Sequence, residues 1–170
     1  MAPPTRARGT SPVPVVTAPV PPFQTFLDAH ATTVYRFLTA AVGRQDADDC
    51  FQETFLAALR AYPKLRDAEH LDRWVLRIAS RKAIDHHRTK RRLPALLDEL
   101  PEQATDQPEP QDEILWKSVR ELPARQRIAM AHRYVLDRSY AEIAELMGGT
   151  EEAARANVHQ ATKRLRELMT

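Results

Sequence analysis

Arginines recur at helical spacing between positions 71 and 92. Their guanidinium groups can bind phosphate oxygens, which is the chemistry of a nucleic-acid contact rather than of catalysis. The cationic positions on this stretch are Arg73, Arg77, Arg81, Lys82, Arg88, Lys90, Arg91 and Arg92. Asp85 is the only acid between Arg73 and Arg92. Such an excess of charge repels itself unless an anion neutralises it, so the stretch predicts a phosphate-binding helix. The alternative is a basic helix that is simply solvated.

Acids cluster just upstream, on the outward side of another predicted helix. The cluster consists of Asp48, Asp49, Gln52 and Glu53. Near a helix N-terminus acids are favoured by the helix dipole, so a solvated acidic face is one interpretation. A docking surface for a basic partner is the other. A metal site is disfavoured, because no histidine lies at a ligating offset in this helix.

The stretch from Ser139 to Leu168 reads as two helices separated by a glycine turn. Ser139-Tyr-Ala-Glu142 is a capping box that starts the first helix, and Gly148-Gly149 ends it. Thr150 caps the second. Its apolar stripe is formed by Ala154, Val158, Ala161 and Leu165, and its basic residues lie off that stripe. The arrangement is that of a helix-turn-helix, whose second helix enters the major groove, although helical hairpins that never touch DNA share the pattern.

Helices must position all three groups of residues. An apolar face predicts a helix from Phe23 to Val42, stopped by Gly43. Asp46 can cap a second helix that runs to about Tyr62. Its inward side chains are predicted to be Phe51, Phe55, Ala58, Leu59 and Tyr62. The basic helix spans Leu71–Arg92, and two further helices lie near Gln111–Glu121 and from Ala124 to about Leu136. Only four glycines occur in 170 residues, which disfavours an all-β fold. The predicted fold class is all-α.

The composition divides the chain into two small helical domains. Residues 1–22 carry seven of the thirteen prolines and predict a disordered arm. Residues 23–92 form the first domain. Residues 93–110, acidic and proline-containing, predict a flexible linker, and residues 111–170 form the second domain.

Charge and cysteine usage narrow the class of protein. The net charge is only +2, with a pI near 8.8, so a nucleic-acid surface has to come from uneven placement of charge. Cys50 is the single cysteine, which excludes an internal disulfide and suits a reducing compartment. No apolar run approaches the roughly 18 residues of a membrane span, and no signal-peptide core is visible, so we expect a cytoplasmic protein without membrane insertion.

These segments together resemble the extracytoplasmic-function (ECF) sigma factors of bacterial RNA polymerase. The stretch Asp46-Ala-Asp-Asp-Cys-Phe-Gln-Glu-Thr-Phe55 resembles the helix with which the family binds the core enzyme. Residues 73–88, RWVLRIASRKAIDHHR, are similar to its promoter-melting helix. The segments LPARQR at 122–127, YAEIA at 140–144 and VHQA at 158–161 resemble its minus-35-reading domain. The resemblance covers nearly everything after the arm, in the family's order.

The resemblance implies a sigma-two domain, a linker and a sigma-four domain in a factor that guides polymerase to promoters and is not an enzyme. It implies no cofactor and no metal. Its partners would be promoter DNA and core RNA polymerase, through the β′ clamp coiled coil and the β flap, with an anti-sigma factor as a further candidate. The implied core-binding residues are Asp48, Asp49, Gln52, Glu53 and Phe55. Those for minus-ten DNA are Arg73, Trp74, Arg77, Arg81, Lys82 and Arg88, with the loop from Pro63 to His70 near a flipped base. Those for minus-35 DNA are Glu152, Arg155, Ala156, His159, Gln160 and Lys163.

Three departures from the family pattern bear on what is recognised. Arg81 stands where many relatives have asparagine. The recognition helix begins with Glu151 and Glu152, which we expect to repel phosphates, so the chain either binds minus-35 DNA weakly or reads an unusual sequence there. Asp137-Arg138 replaces a frequent glycine and leucine, but aspartate tolerates the tight turn.

Two other classes of function remain as alternatives. A helix-turn-helix regulator acting without polymerase would need a dimerisation surface, whereas the acidic and basic helices predict a monomer that requires the core enzyme. An enzyme would need a metal at Asp85, His86 and His87 or at the acidic cluster. Adjacent helical histidines point about 100° apart, which disfavours chelation of one ion.

Overall fold

The computed structural model describes residues 18–92 and 110–170, and of residues 110–112 only the backbone. These ranges contain helices and no strand, as predicted. In chain order the helices are α1 (Phe23–Val42), α2 (Arg44–Ala61), α3 (Leu71–Arg92), α4 (Pro110–Arg120), α5 (Ala124–Met130), α6 (Tyr140–Met147) and α7 (Glu151–Leu168). A 3-10 turn, Tyr62–Lys64, follows α2, and a π-helical turn, Ala131–Val135, follows α5.

Helices α1, α2 and α3 form the first unit around an aromatic cluster. The ring of Phe26 is fully buried and lies 5.1 to 6.1 Å from the rings of Phe55, Tyr62 and Trp74. The extended segment 18–22 covers the loop after α2, because the carbonyl of Ala18 accepts from the amide of Ala68 and that of Pro21 from the Tyr62 hydroxyl. The end of the predicted disordered arm is therefore placed against the first unit. The remainder, residues 1–17, and the predicted linker up to residue 109 lie outside the described ranges.

The start of α2 differs from the prediction. The helix begins at Arg44, directly after Gly43, whose φ of 95° permits the sharp turn from α1. Asp46 does not cap the helix. Its carboxylate instead accepts from His86 Nε2 at 3.0 Å and from Lys90 Nζ at 3.2 Å, so it ties α2 to α3. This pairing lowers the pKa of Asp46 to about 2 and raises that of His86 to about 9, the mutual hydrogen bond being the main cause in each case.

The second unit carries the predicted helix-turn-helix. Ser139 and Glu142 form the capping box, and Gly148 ends α6 in the left-handed conformation. Thr150 then accepts from the amide of Ala153 and caps α7. Asp137 has a φ of 50° and thus makes the tight turn before α6 that its position required. These predictions are confirmed.

The two units pack against each other, which the sequence did not predict. Among the residues that the structure describes, one apolar core runs through both units, and a small cluster of Leu122, Ala161 and Leu165 stands apart. The ring of His132 in the π-helical turn is fully buried and stacks on Phe37 of α1, with centroids 4.2 Å apart. Its Nε2 lies 2.7 Å from the Ser80 hydroxyl of α3. Because that hydroxyl donates to the carbonyl of Leu76, we assign the proton of the imidazole to Nε2, which leaves buried Nδ1 without a partner.

A buried arginine of the second unit also contacts the first unit. Arg127 of α5 donates from Nε to the carbonyl of Ala40, at 3.0 Å, near the C-terminus of α1. The last turn of α1 has no basic residue of its own, so Arg127 supplies the cation that a helix C-terminus favours. Burial lowers the pKa of Arg127 to about 10, which leaves the group charged at neutral pH. The second unit thus caps a helix of the first.

His132 should make the fold less stable in acid. Burial, aided by the charge of Arg138, lowers its pKa from 6.5 to about 3. Below pH 6.5 the histidine of the unfolded chain therefore binds a proton, whereas that of the folded chain does not. The free energy of unfolding consequently falls as the pH drops toward 3. Between pH values of about 7 and about 5 the free energy of unfolding should fall by about 2 kcal/mol.

The variant His132→Phe keeps an aromatic ring against Phe37 and removes the group that titrates. Urea unfolding at both pH values should show the steeper acid loss in the wild type, and equal losses in the two proteins would contradict the assignment.

Candidate nucleic-acid interface and docking face

The acidic cluster forms an exposed face on α2. Asp48, Asp49, Gln52 and Glu53 are all exposed. Phe55, which the resemblance places in the same segment, is only 6% exposed and packs against Phe26 and Phe51, so its side chain supports the helix from inside.

Two leucines extend this face by a further turn. Leu56 and Leu59 are 52% and 48% exposed, although Leu59 had been predicted to point inward. We call Asp49, Gln52, Glu53, Leu56 and Leu59 the docking face. The helical spacing from Gln52 to Leu56 was the signal for this extension. An acidic rim beside exposed leucines is what a basic, partly apolar partner surface would match.

The basic stripe of α3 is divided by the second unit. Arg81 and Arg88 are exposed. Arg73 and Arg77 are partly covered by α6, whose carboxylates they contact. Arg77 Nη2 lies 2.9 Å from Glu145 Oε1, and Arg73 lies 3.6 Å from Glu142 and 3.9 Å from Glu145. Carboxylates of α6 therefore contact two arginines of the stripe.

The remaining predicted residues of α3 have protein partners. Trp74 is half-buried in the aromatic cluster of the first unit. Lys82 lies 3.8 Å from Glu53, so the basic stripe and the docking face meet at this pair. Arg88 has a distant partner in Asp85, at 3.9 Å. Exposed pairs of this kind are weak and leave the cations available to a stronger anion.

The adjacent histidines of α3 are structural. His86 bonds to Asp46, and His87 Nε2 lies 2.8 Å from the carbonyl of Ala41 at the end of α1. Burial lowers the pKa of His87 below its usual value. Within residues 18–92 and 110–170, no group of three or more histidine, cysteine or acidic residues is placed to hold a metal ion. No helix in those ranges is long and apolar enough to span a membrane.

Helix α7 presents the predicted recognition face to solvent. Ala154, Val158, Ala161 and Leu165 are buried, as the stripe predicted. The residues proposed to face DNA, namely Glu152, Arg155, Ala156, His159, Gln160 and Lys163, are all exposed. Gln160 also accepts a hydrogen bond from Gln126 of α5, at 3.1 Å.

Arg155 is held in place by neighbours that the sequence analysis did not connect with it. Its Nη2 lies 3.1 Å from Glu151 Oε1, and its guanidinium lies 5.2 Å from the ring centroid of Tyr140. Arg133 lies 5.1 Å from the same ring. The shallow groove along α7 is lined by Tyr134 as well, which is 63% exposed. Aromatic and cationic groups thus share one surface, which is typical of a nucleic-acid contact.

Comparison with known proteins identifies both units. The family model for sigma-70 region 2 matches residues 26–93, and that for sigma-70 region 4 matches residues 112–165. The chain is 32% identical to the ECF RNA polymerase sigma factor SigF of Caulobacter vibrioides, over 73% of this chain and 71% of that protein. It is 34% identical to ECF sigma factor SigD of Mycobacterium tuberculosis, over 79% of this chain and 70% of the other.

Solved structures agree with this assignment at the level of the fold. The chain resembles the sigma factor RpoE of Bartonella quintana, solved with the anti-sigma factor NepR, with a TM-score of 0.70 at 20% identity over 86% of this chain and 96% of that one. It also resembles CnrH, solved with the cytosolic domain of CnrY, with a TM-score of 0.62 at 18% identity over 86% of each chain. With both family regions present in order and relatives above 30% identity, the chain belongs to the ECF family of sigma-70-type RNA polymerase sigma factors.

Proposed function

We propose that this protein is a transcription initiation factor that binds core RNA polymerase and directs it to specific promoters. The docking face of α2 contacts the polymerase, α3 contacts and helps to open minus-ten DNA, and α7 reads minus-35 DNA. The observation that carries the proposal is that one chain presents all three surfaces on the two family regions. A similar sigma factor, RpoE of Bartonella quintana, was solved with an anti-sigma factor, and we extend that class of partner to this chain.

Charge and shape support the assignment of the three surfaces. The docking face combines carboxylates with exposed leucines, so it can gain both electrostatic steering and apolar burial from a basic partner. The arginines of α3 suit the phosphates beside a melted region, where rigid cations offset part of the cost of unstacking bases. The side chains of α7 suit the base edges of a major groove.

A regulator that acts without polymerase is the second candidate, and it is not favoured. Such a regulator would not explain the docking face, and it would not explain why residues 26–93 match sigma-70 region 2. Co-purification of the protein with core polymerase distinguishes the two classes.

Reversing charge on the docking face should weaken core binding. Glu53→Lys replaces an attraction by a repulsion and should lower the affinity for core polymerase about tenfold, or about 1.4 kcal/mol. Leu56→Ala should weaken it by about 1 to 2 kcal/mol through lost apolar burial. Both positions are exposed, so the free energy of unfolding should change by no more than about 0.5 kcal/mol.

Fluorescence titration with core polymerase measures the affinities, with the exposed Asp28→Lys of α1 as the matched charge control. Undiminished affinity in both folded variants would remove this face from the interface.

The arginines of α3 should matter more for opening DNA than for binding it. Arg77→Ala with Arg81→Ala removes contacts beside the bubble, so run-off transcription should fall more on a double-stranded promoter than on a pre-melted template. Arg60→Ala, an exposed arginine of α2, is the control for loss of cationic charge. An equal fall on both templates would make the two arginines general phosphate anchors, and an unchanged yield would exclude them from the site.

The two glutamates at the start of α7 should differ in effect. Glu152 has no ion pair with any residue that the structure describes, so Glu152→Gln removes only a repulsion of phosphates and should tighten minus-35 binding about two- to threefold. Glu151 holds Arg155, so Glu151→Gln also frees that arginine and should reduce base selectivity. Binding of the full chain with core polymerase to a promoter library measures both quantities. A weaker and less selective Glu152→Gln variant would instead make Glu152 a base-reading residue.

A further inference from the structure

A short proline-rich segment precedes α1 and lies across the loop between α2 and α3. We call this segment, residues 18–22 with the sequence APVPP, the strap. The carbonyl of Pro21 accepts from the Tyr62 hydroxyl at 2.7 Å, and the carbonyl of Ala18 accepts from the amide of Ala68 at 3.1 Å. The strap is therefore bonded to the residue that precedes the loop and to a residue near its far end.

The composition of the strap makes it stiff. Three of its five residues, Pro19, Pro21 and Pro22, are prolines, which fix φ and lack an N–H group. Pro22 has a φ of −54° and a ψ of 144°, the extended conformation that prolines prefer. Its carbonyl accepts from the amide of Phe26 at 3.1 Å, in the first turn of α1. The strap is thus anchored to a helix, and it loses little conformational entropy when it lies on the loop.

Tyr62 joins the strap to the aromatic cluster of the first unit. Its ring centroid lies 5.1 Å from those of Phe23 and Phe26 and 6.1 Å from that of Trp74. Because its hydroxyl also bonds to the strap, the ring is held at both ends. Trp74, which the family resemblance places at minus-ten DNA, therefore packs in the same cluster as the residue that bonds to the strap.

The loop Pro63–His70 presents polar side chains from a backbone that needs support. Arg66, Glu69 and His70 are exposed. His70 has a φ of 61°, a conformation that residues with a side chain rarely adopt and that persists where the surrounding structure holds it. The bond between the strap and Ala68 lies two residues before this position. The strap thus supports the part of the loop where the backbone is least favourable.

We propose that the strap and Tyr62 position the loop for reading one base of the minus-ten strand, and so determine how selectively that base is bound. The inference rests on the proposed function and deepens it, since the family resemblance places this loop near a flipped base. The match to sigma-70 region 2 begins at residue 26, after the strap, so the family model does not include this element.

The physical reason is preorganisation. A flipped base is recognised by polar groups that match its edge, so a loop that moves loses discrimination between bases. A loop already held in its binding conformation does not have to be ordered when the base arrives. Phosphate contacts made by the arginines of α3 do not distinguish bases and do not depend on the strap. Loosening the strap should therefore lower selectivity more than total affinity.

The test uses two variants of the full chain and one control. Tyr62→Phe removes the hydroxyl that bonds to the strap and keeps the ring in the aromatic cluster. Pro19→Gly with Pro21→Gly keeps the strap carbonyls but lets its backbone move. The control, Pro3→Gly with Pro4→Gly, makes the same exchange in the part of the arm that lies outside the described residues. Circular dichroism verifies that each protein is folded.

Two measurements follow the strap and its effect separately. Amide hydrogen exchange, recorded by NMR on the free protein, reports the hydrogen bond of the Ala68 amide. Selectivity is measured with holoenzyme assembled from core polymerase and each variant. A single-stranded DNA library with a randomised segment is bound, and the bound fraction is sequenced. Total affinity for the unselected library measures the contacts that do not depend on sequence.

We expect the Ala68 amide to exchange about fivefold faster in both strap variants, with the control equal to the wild type. Preference for the selected base should fall about fivefold, whereas affinity for the unselected library should stay within about twofold. Unchanged exchange in both variants overturns the strap, and faster exchange with unchanged preference overturns its positioning role. A wild-type holoenzyme that selects no base contradicts the proposed minus-ten function itself, which the wild type shows without any variant.

Discussion

The packing of the second unit on the first depends on one shared apolar core, and the pairing of α3 arginines with α6 carboxylates lies at the edge of that contact. Helix α3 buries Val75, Leu76, Ala79 and Ala83 on one side, so its arginines must emerge along the other. A second helix that lies along that side is favoured if it brings opposite charge. Helix α6 does so with Glu142 and Glu145. Since Glu142 also closes the capping box of α6, one residue links the local start of a helix to the packing of two units.

Local signals in the sequence predicted most of the helices. The bounds of α1 and α3, the capping box at Ser139, the stop at Gly148 and the cap at Thr150 all follow from residues within a few positions of each other. The error at Asp46 has the opposite origin. The carboxylate of Asp46 could accept from a nearby backbone amide or from two cations of α3 some 40 residues away. It bonds to the distant cations, because they provide charge as well as hydrogen bonds. Rules for helix capping consider only residues that are near in sequence, so they do not include partners from another helix.

The candidate surfaces were predictable to the extent that one helix defines them. The exposed face of α7 follows from its period alone, and so does the acidic part of the docking face. Leu59 is exposed, against the prediction, because folded proteins leave much apolar surface in contact with water. The pairing of Arg77 with Glu145 spans 68 residues and depends on the packing of the two units, so no single helix could reveal it.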